Sequence, residues 1–431
     1  MHAAAALRAR RPAGIAAAGA ARLILLDTIG CALAGRAAPE VAAFERHASA
    51  LESGPFTFPG GRRLSLAAAA QVGAMAATWD EACEGHAFAH GRPGVAAVAG
   101  LLPLAVAGSR GLDALTDALA LAYEVAARAG AWLRIRPGMH VDGNWPALGV
   151  AAGAARLGGA GEAGIAGAID IAACQLATSL YLPVSEGRTA RNTYLAHSAG
   201  LGLMAAQAAQ AGIDAPAGAL AFYATRFAAA DPAAPPAPAA DLILDAYIKP
   251  HAAVRHVHYG AELARRVRED LGGATEGIGR IALSVYPEAI TYCGNRAPRA
   301  PIQAQFSLSF GVAAMLRFGV LDHSVYREPR FSDPELRRLE ALVRIDVEPA
   351  LAAAGRRGAA LAVTSGYKDI EHDVRTIPGD PAQPLSAEEV AAKFMRYASA
   401  SVPHEKAFVF ANAVLSAEVD VKMSALWDLL F

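Results

Sequence analysis

The sequence has few cysteines and almost no net charge, and both shortages argue against particular functions. Its four cysteines, Cys31, Cys83, Cys174 and Cys293, lie far apart in the chain. No pair has the close spacing of a structural zinc or iron-sulfur site, so we expect free thiols and a cytoplasmic protein. The 39 basic and 40 acidic side chains give a formal charge of -1. This balance argues against nucleic acid or an anionic membrane as a partner.

A long uninterrupted apolar segment is also missing. The most hydrophobic stretch covers residues 95–107, whereas a helix that spans a membrane needs about 20 apolar residues. Near the N-terminus, Arg22 and Asp27 interrupt what would be the apolar core of a signal peptide. We therefore predict no transmembrane segment and a first helix that enters the fold.

The apolar residues that are present, 54% of the chain, are enough for a large core. From residue 15 to about 230 they recur at intervals of three or four in Ala-rich segments, which indicates many buried helices. The Pro-rich residues 231–240 cannot continue a helix, so we predict a domain boundary there. Beyond it, alternation around Ile281 and a hairpin pattern at residues 361–377 predict an α+β domain. Ser386 then begins a capping box, and the last thirty or so residues are again helical in pattern.

Four polar segments between the apolar helices are candidates for chemistry. The first, residues 80–94, combines three carboxylates, two histidines and Arg92. Clustered carboxylates and imidazoles can supply a general acid and a general base near neutral pH. A solvated loop is the alternative interpretation.

The second and third segments each place one cationic or titratable side chain before a helix. His140 precedes a helix whose first turn contains Pro146, and the amide-rich end of a helix attracts carboxylates. A histidine there can act as base or donor, although a structural or exposed histidine is equally compatible. Arg191, in residues 185–194, can bind a carboxylate bidentately, unless it pairs with Glu186 at the surface.

The fourth segment, residues 249–258, contains Lys249, Arg255 and three histidines directly at the predicted domain boundary. Clefts between domains are favoured ligand sites. His256 and His258 flank one residue, but no acidic ligand is suitably spaced on the same element. We therefore predict no metal site.

Together, and in this order, the four segments resemble the MmgE/PrpD family, which includes 2-methylcitrate dehydratase, cis-aconitate decarboxylase and iminodisuccinate epimerase. Residues 186–194 are similar to the family's EGAT-x-RN-x-Y form, and residues 22–30 look like its opening helix. Residues 302–310 and 379–386 resemble segments of its lid. The resemblance covers nearly the whole chain.

The resemblance implies a mainly α fold in which both chain ends form a large all-helical domain around an inserted α+β lid. The corresponding boundaries are residues 1–240 and 396–431 for the helical domain and residues 246–395 for the lid. It also implies a homodimer and an active site at the domain junction that uses neither a metal nor an organic cofactor.

The first segment departs from one common form of the family, D-E-G-[HN]-x-F-x-x-G-H-P. In that register Cys83 replaces the aspartate and Arg92 replaces the histidine before proline. The register D-x-D-D-T-x-H-x-x-x-H instead matches Asp80, His86 and His90, with Glu84 at the threonine position. We prefer the second register, so Asp80 and His90 are the functional candidates.

The family's reactions share the removal of a proton or a carboxylate next to a carbonyl group. Such chemistry needs a base and cations that stabilise the enolate-like charge. The resemblance implies a hydro-lyase of the 2-methylcitrate dehydratase type that acts on a small hydroxy-polycarboxylate, with decarboxylation or epimerisation as alternatives. The candidate catalytic residues are Asp80, His90, His140 and His258, and the candidate substrate-binding residues are Glu84, His86, Arg92, Arg191 and Lys249.

Two interpretations compete with this function. Asp80, Glu81 and Glu84 have a spacing that, on one helix face, can hold magnesium and a diphosphate, as in a terpene-synthase-like protein. The replacements Cys83 and Arg92 are also compatible with a catalytically degenerate member that acts as a binding protein.

Overall fold

The computed structural model describes residues 12–227, 241–355, 357–417 and 420–431. Helices dominate these residues, which confirms the mainly α fold class. The Pro-rich segment 231–240, predicted as the domain boundary, lies outside the described residues.

The N-terminal half forms a large helical domain because its small side chains allow the helices to approach closely. At Gly149, for example, a Cβ atom would lie 2.4 Å from the carbonyl oxygen of Ala122 on the neighbouring helix. Two short antiparallel strand pairs interrupt the helices. Phe56–Thr57 and Arg63–Leu64 form a hairpin, whereas Met139–His140 pairs with Ser179–Leu180 across two intervening helices. The helices are Ile15–Gly35, Pro39–Leu51, Leu66–Thr78, Pro93–Ala107, Leu112–Trp132, Pro146–Leu157, Glu162–Ala173, Leu182–Ser185, Tyr194–Gln210 and Ala219–Phe227.

The first of these helices, Ile15–Gly35, lies in the core of the domain. By length and composition alone it is the one helix among the described residues that is long and apolar enough to cross a membrane. All its residues from 24 to 35 are buried within the fold, and buried Asp27 forms an ion pair with Lys393 near the other end of the chain. Its packing is that of a core helix entering the fold, as the sequence predicts.

The lid combines helices with a four-stranded sheet. The strands lie in the order Val343–Val347, Ile278–Val285, Ala359–Ser365 and Lys368–Val374; the first pair is parallel and the others are antiparallel. The predicted alternation is confirmed, since Ile281, Leu283 and Val285 are buried. The predicted hairpin is also confirmed, because the last two strands meet at a turn in which Gly366 has φ +61°. The lid helices are Arg255–Asp270, Pro287–Cys293, Pro301–Ala304, Leu308–Phe318 and Pro334–Leu342.

The chain then returns to the helical domain through the helix Ala387–Ala398. The predicted capping box is confirmed, because Ser386 and Glu389 form both of its hydrogen bonds. This helix packs along Ile15–Gly35. The predicted boundary between residues 395 and 396 falls inside it, so we assign the whole helix to the helical domain. His404–Ser416 and Met423–Asp428 follow it.

Candidate active site

A cavity of about 320 Å³ lies where the helical domain meets the lid. Both domains contribute to its wall, and cationic side chains outnumber carboxylates there by six to three. Such an excess of positive charge suits a ligand with several carboxylates. The cations are Arg92, Arg134, Arg191, Lys249, Arg255 and Arg357, and the carboxylates are Glu81, Asp142 and Glu288.

The loop that follows the helix Leu66–Thr78 forms one side of the cavity, and the lid holds three successive residues of it. The amide of Gln305 donates to the carbonyl oxygen of Trp79 at 3.0 Å. Arg327 forms two hydrogen bonds with the Asp80 carboxylate, at 2.8 and 3.1 Å. Lys249 Nζ donates to the carbonyl oxygen of Glu81 at 3.0 Å. Residues of the lid therefore hold the backbone of this loop.

Glu81 is the centre of the charge cluster. Its carboxylate accepts hydrogen bonds from Lys249 at 2.7 Å, from Arg92 at 3.0 Å and from Arg191. Burial alone would raise the pKa of Glu81, but Arg191, Arg92 and Lys249 outweigh burial and hold this pKa well below its ordinary value. Its backbone has φ +54°, a strained conformation for a residue with a Cβ atom. The fold accepts this strain at the position where the three cations converge.

Arg191 belongs to the short 3-10 helix Thr189–Thr193 and is almost completely buried. Besides Glu81, it donates to the carbonyl oxygen of Thr78 at 3.1 Å and to Asn192 Oδ1 at 3.0 Å. Its guanidinium also lies 5.7 Å from the centre of the Phe306 ring. The structure therefore favours the interior position over the alternative surface pairing with Glu186.

His140 lies beside the same cluster. The backbone N–H of Asp142 donates to His140 Nδ1 at 3.2 Å, so the proton of the neutral ring resides on Nε2. The Asp142 carboxylate itself binds Arg92. Burial, followed by the charges of Arg191 and Arg92, lowers the pKa of His140 well below 6.5. His140 is therefore a neutral imidazole that lines the cavity with an N–H available on Nε2.

The two lid histidines separated by one residue have different positions. His256 lines the cavity, bonds through Nδ1 to the hydroxyl of Tyr286, and stacks on Tyr292 with ring centres 5.6 Å apart. Burial and nearby cations lower its pKa to about 3. His258 lies outside the cavity wall, where Nε2 donates to the carbonyl oxygen of Ala253 at 3.0 Å and Nδ1 faces Arg255 at 3.4 Å. His258 thus positions a cavity arginine instead of lining the cavity.

Two carboxylates predicted as site residues also lie outside the cavity wall. Asp80 pairs with Arg327, and burial raises its pKa despite that pairing. Glu84 lies in the interior of the helical domain, where it accepts the backbone N–H groups of Gly94 and Val95. The helix that was required for a magnesium-binding face ends at Thr78. The acidic residues beyond it have separate partners, so the magnesium interpretation was wrong about their geometry.

The two histidines of the first segment do line the cavity. His86 uses both ring nitrogens inside the protein, because Nε2 donates to the carbonyl oxygen of Leu242 at 3.0 Å and Nδ1 accepts the N–H of Ala89 at 3.2 Å. His90 has φ +56°. Burial, then Arg134 and Arg357, lowers its pKa to about 4. His86 is therefore part of the wall, whereas His90 is a neutral side chain beside two cations.

Of the nine predicted site residues, six line the cavity: His86, His90, Arg92, His140, Arg191 and Lys249. The prediction missed Glu81, Asp142 and His256 as cavity residues. Each is one or two positions from a residue that was chosen. The charged cavity residues Arg134, Glu288 and Arg357 were also missed, and they lie outside the four predicted segments. The direction of neighbouring side chains was the missing information.

The arrangement defines a two-domain protein with a cation-rich, histidine-lined cavity at the domain junction. Comparison with known families also divides the chain in two: the MmgE/PrpD N-terminal domain matches residues 3–231, and the MmgE/PrpD C-terminal domain matches residues 251–418 and so includes the helix Ala387–Ala398. The chain belongs to the MmgE/PrpD family. A search of curated proteins gives no match. Within the described residues no group of three or more His, Cys, Asp or Glu side chains has the arrangement of a metal site.

Proposed function

We propose that the protein is a cofactor-independent hydro-lyase that dehydrates a small hydroxy-polycarboxylate. Family membership supports an enzyme of the dehydratase and lyase type. The observation that carries the proposal is the convergence of Arg92, Arg191 and Lys249 on one side of a cavity lined by neutral histidines.

The cations meet the main energetic requirement of the reaction. Removing a proton from a carbon next to a carboxylate places additional negative charge on that carboxylate. Arg92, Arg191 and Lys249 already compensate the charge of Glu81, and a substrate carboxylate beside them would share the same field. Because these cations are buried, their charges act through a medium less polar than water and are weakly screened.

The histidines supply the proton transfers in this proposal. Once the bound substrate has favoured protonation of the His140 ring, its Nε2–H gives a proton to the leaving hydroxyl, which departs as water, and the ring returns to the neutral form. His256 accepts the proton from carbon through Nε2 when its Nδ1–H donates to the oxygen of Tyr286. Low pKa values keep both rings neutral in the free protein. A bound polyanion brings negative charge next to both rings and raises their pKa values towards the working pH.

Decarboxylation and epimerisation need the same cations and remain alternatives within the family. A screen of citrate, 2-methylcitrate, cis-aconitate and iminodisuccinate separates the three reactions. Dehydration forms a carbon–carbon double bond that absorbs in the ultraviolet, decarboxylation releases carbon dioxide, and epimerisation changes only chirality. Binding of a polycarboxylate without any product would favour a catalytically degenerate binding protein.

His140→Ala tests the assignment of the proton donor. We expect kcat on the best substrate to fall by about 10²–10⁴, the usual contribution of general acid–base catalysis. His404→Ala is the matched control, because His404 is exposed on a C-terminal helix and should leave kcat unchanged. Unchanged turnover in His140→Ala would remove this residue from the mechanism.

A further inference from the structure

One cation in the wall of the candidate active site has no counter-ion. Among the residues that the structure describes, the guanidinium of Arg134 forms neither an ion pair nor a hydrogen bond, although the side chain is half-buried in the cavity wall. A partly desolvated positive charge without a partner is favourably placed to bind an anion. The other five cations of the wall all form ion pairs with carboxylates of the protein: Arg92, Arg191, Lys249, Arg255 and Arg357.

His90 comes close to Arg134 because a glycine lets its loop pack against the helix Leu112–Trp132. A Cβ atom at Gly130 would lie 2.7 Å from the carbonyl oxygen of Ala89, so this approach requires a residue without a side chain. Arg134 follows the end of that helix by two residues, and His90 follows Ala89 directly. The His90 side chain is exposed, lines the cavity and has no hydrogen-bond partner within the described part of the chain. Its ring is therefore accessible to a ligand.

The lid completes this part of the wall with Arg357. Burial, then the positive charges of Arg134 and Arg357, lowers the pKa of His90 to about 4, and no carboxylate is among the groups that act on this ring. Arg357 pairs with Glu288, but 43% of the Glu288 side chain is exposed. An exposed pair of this kind is weak, so Glu288 competes poorly with a bound anion for Arg357.

The cavity thus contains two groups of cations. The first converges on buried Glu81, and two of its members, Arg191 and Arg92, act on His140. The second, Arg134 and Arg357, acts on His90 and has no buried carboxylate of its own. A ligand with a single carboxylate would leave one of the two groups without an anion, whereas a polycarboxylate can satisfy both.

We propose that Arg134, Arg357 and His90 form a subsite for a second carboxylate of the substrate, an inference that rests on the proposed function. One carboxylate lies at the Glu81 cluster beside His140, and another accepts hydrogen bonds from the two arginines. A neutral His90 can add one ring N–H. Because Arg134 belongs to the helical domain and Arg357 to the lid, the bound carboxylate connects the two domains.

Calorimetric binding of citrate to Arg134→Gln tests the subsite without any need for turnover. We expect Kd to rise about 10- to 100-fold, since a hydrogen-bonded pair of full charges is lost. The urea midpoint should be unchanged, because the substitution removes no contact within the described protein. Arg136→Gln is the matched control: Arg136 is exposed, lies two residues further on and is outside the wall of this cavity, so Kd should change less than about twofold.

Arg357→Gln tests the contribution of the lid in the same way, with exposed Arg344→Gln as its control. If both arginines bind one carboxylate, their effects are coupled, because each depends on the anion that the other holds. The loss of affinity in the double variant Arg134→Gln/Arg357→Gln should then be smaller than the product of the two single losses. Independent losses that simply multiply would overturn the shared subsite.

The remaining outcomes separate the subsite from the proposed function. Equal effects of Arg134→Gln and Arg136→Gln on citrate binding overturn the subsite and leave dehydration by the wild type standing. A specific loss in Arg134→Gln, with no dehydration of any polycarboxylate by the wild type, supports the subsite and overturns the proposed reaction. No binding of citrate, 2-methylcitrate or cis-aconitate by the wild type overturns both.

Discussion

Glu81 and Glu84 are three positions apart in one loop, are both buried, and have opposite environments. Glu81 faces the cavity and forms ion pairs with Arg92, Arg191 and Lys249. Glu84 points into the helical domain and forms no ion pair with any residue in the described ranges. The pKa of Glu81 is held well below 4.5, whereas burial raises the pKa of Glu84 to about 7.

The difference arises from the kind of donor that each carboxylate meets. Glu84 receives the N–H groups of Gly94 and Val95, which begin the helix Pro93–Ala107, and the hydroxyl of Tyr123 at 3.1 Å. These dipoles favour the anion, but they do not offset the loss of water, and the nearby carboxylate of Asp27 raises the pKa further. At Glu81, the full charges of Arg191, Arg92 and Lys249 do offset the loss of hydration. Burial alone therefore does not distinguish a site carboxylate from a structural one.

Glu81→Ala should have the largest effect on stability, because it leaves three buried cations without their shared anion. We expect the free energy of unfolding to fall by about 3–5 kcal/mol, the usual cost of removing one partner from a buried ion pair. Urea unfolding at neutral pH measures this change. Added citrate should restore part of the loss, since its carboxylate can take the place between the cations and ligand binding stabilises the folded state.

Glu288→Ala is the control for this variant. Glu288 also lines the cavity, but it pairs with Arg357 at the surface, with 43% of its side chain exposed. An exposed pair contributes little, so a change below about 1 kcal/mol is expected. If the two variants lose equal stability, the charge cluster at Glu81 is not the strong buried interaction that the contacts indicate.

Glu84→Gln should give the next largest effect, and this effect depends on pH. The folded protein binds the Glu84 proton more tightly than the unfolded chain, since the folded pKa is about 7 and the ordinary value is 4.5. The stability associated with that proton is fully present below about pH 4.5 and is lost as pH rises through about 7. The wild type should therefore lose about 2–3 kcal/mol relative to the glutamine variant between about pH 5 and 8.

The measurement for Glu84→Gln is the difference between the urea midpoints of the two proteins across this pH range. Glutamine can accept the N–H of Gly94 and donate to Tyr123, so its hydrogen bonds are satisfied. Glu405→Gln, at an exposed helix position, should show no such trend. A pH-independent difference for Glu84→Gln would mean that Glu84 titrates in the same range in both states.

Much of the fold follows from local rules that operate on short stretches of sequence. Alternation of apolar residues identified the buried face of Ile278–Val285, and the Ser386 capping box identified the beginning of Ala387–Ala398. Both patterns depend only on residues within one element. The packing of that last helix along Ile15–Gly35 connects distant parts of the chain, and no local pattern contains this information.

Much of the candidate site was predictable by segment but not by side chain, and Arg134, Glu288 and Arg357 come from outside the predicted segments. Asp80 was chosen over Glu81, although φ +54° at Glu81 turns its carboxylate to the cations while Asp80 faces Arg327. His258 was chosen over His256 for a similar reason, because successive residues of one helix point in directions about 100° apart. Which direction faces the cavity depends on the position of the whole helix against its neighbours.

Tyr123→Phe should give the smallest effect and tests the Glu84 environment from its other side. Removing the hydroxyl deletes the hydrogen bond to Glu84 Oε2, which should lower the free energy of unfolding by about 1–2 kcal/mol at neutral pH. It should also raise the pKa of Glu84 further, because this hydrogen bond favours the anion. The destabilisation should therefore grow as pH rises and Glu84 ionises.

Urea unfolding at several pH values measures this destabilisation, with Tyr367→Phe at the exposed hairpin turn as the control. A constant loss at all pH values would show that the hydroxyl binds protonated and ionised Glu84 equally well.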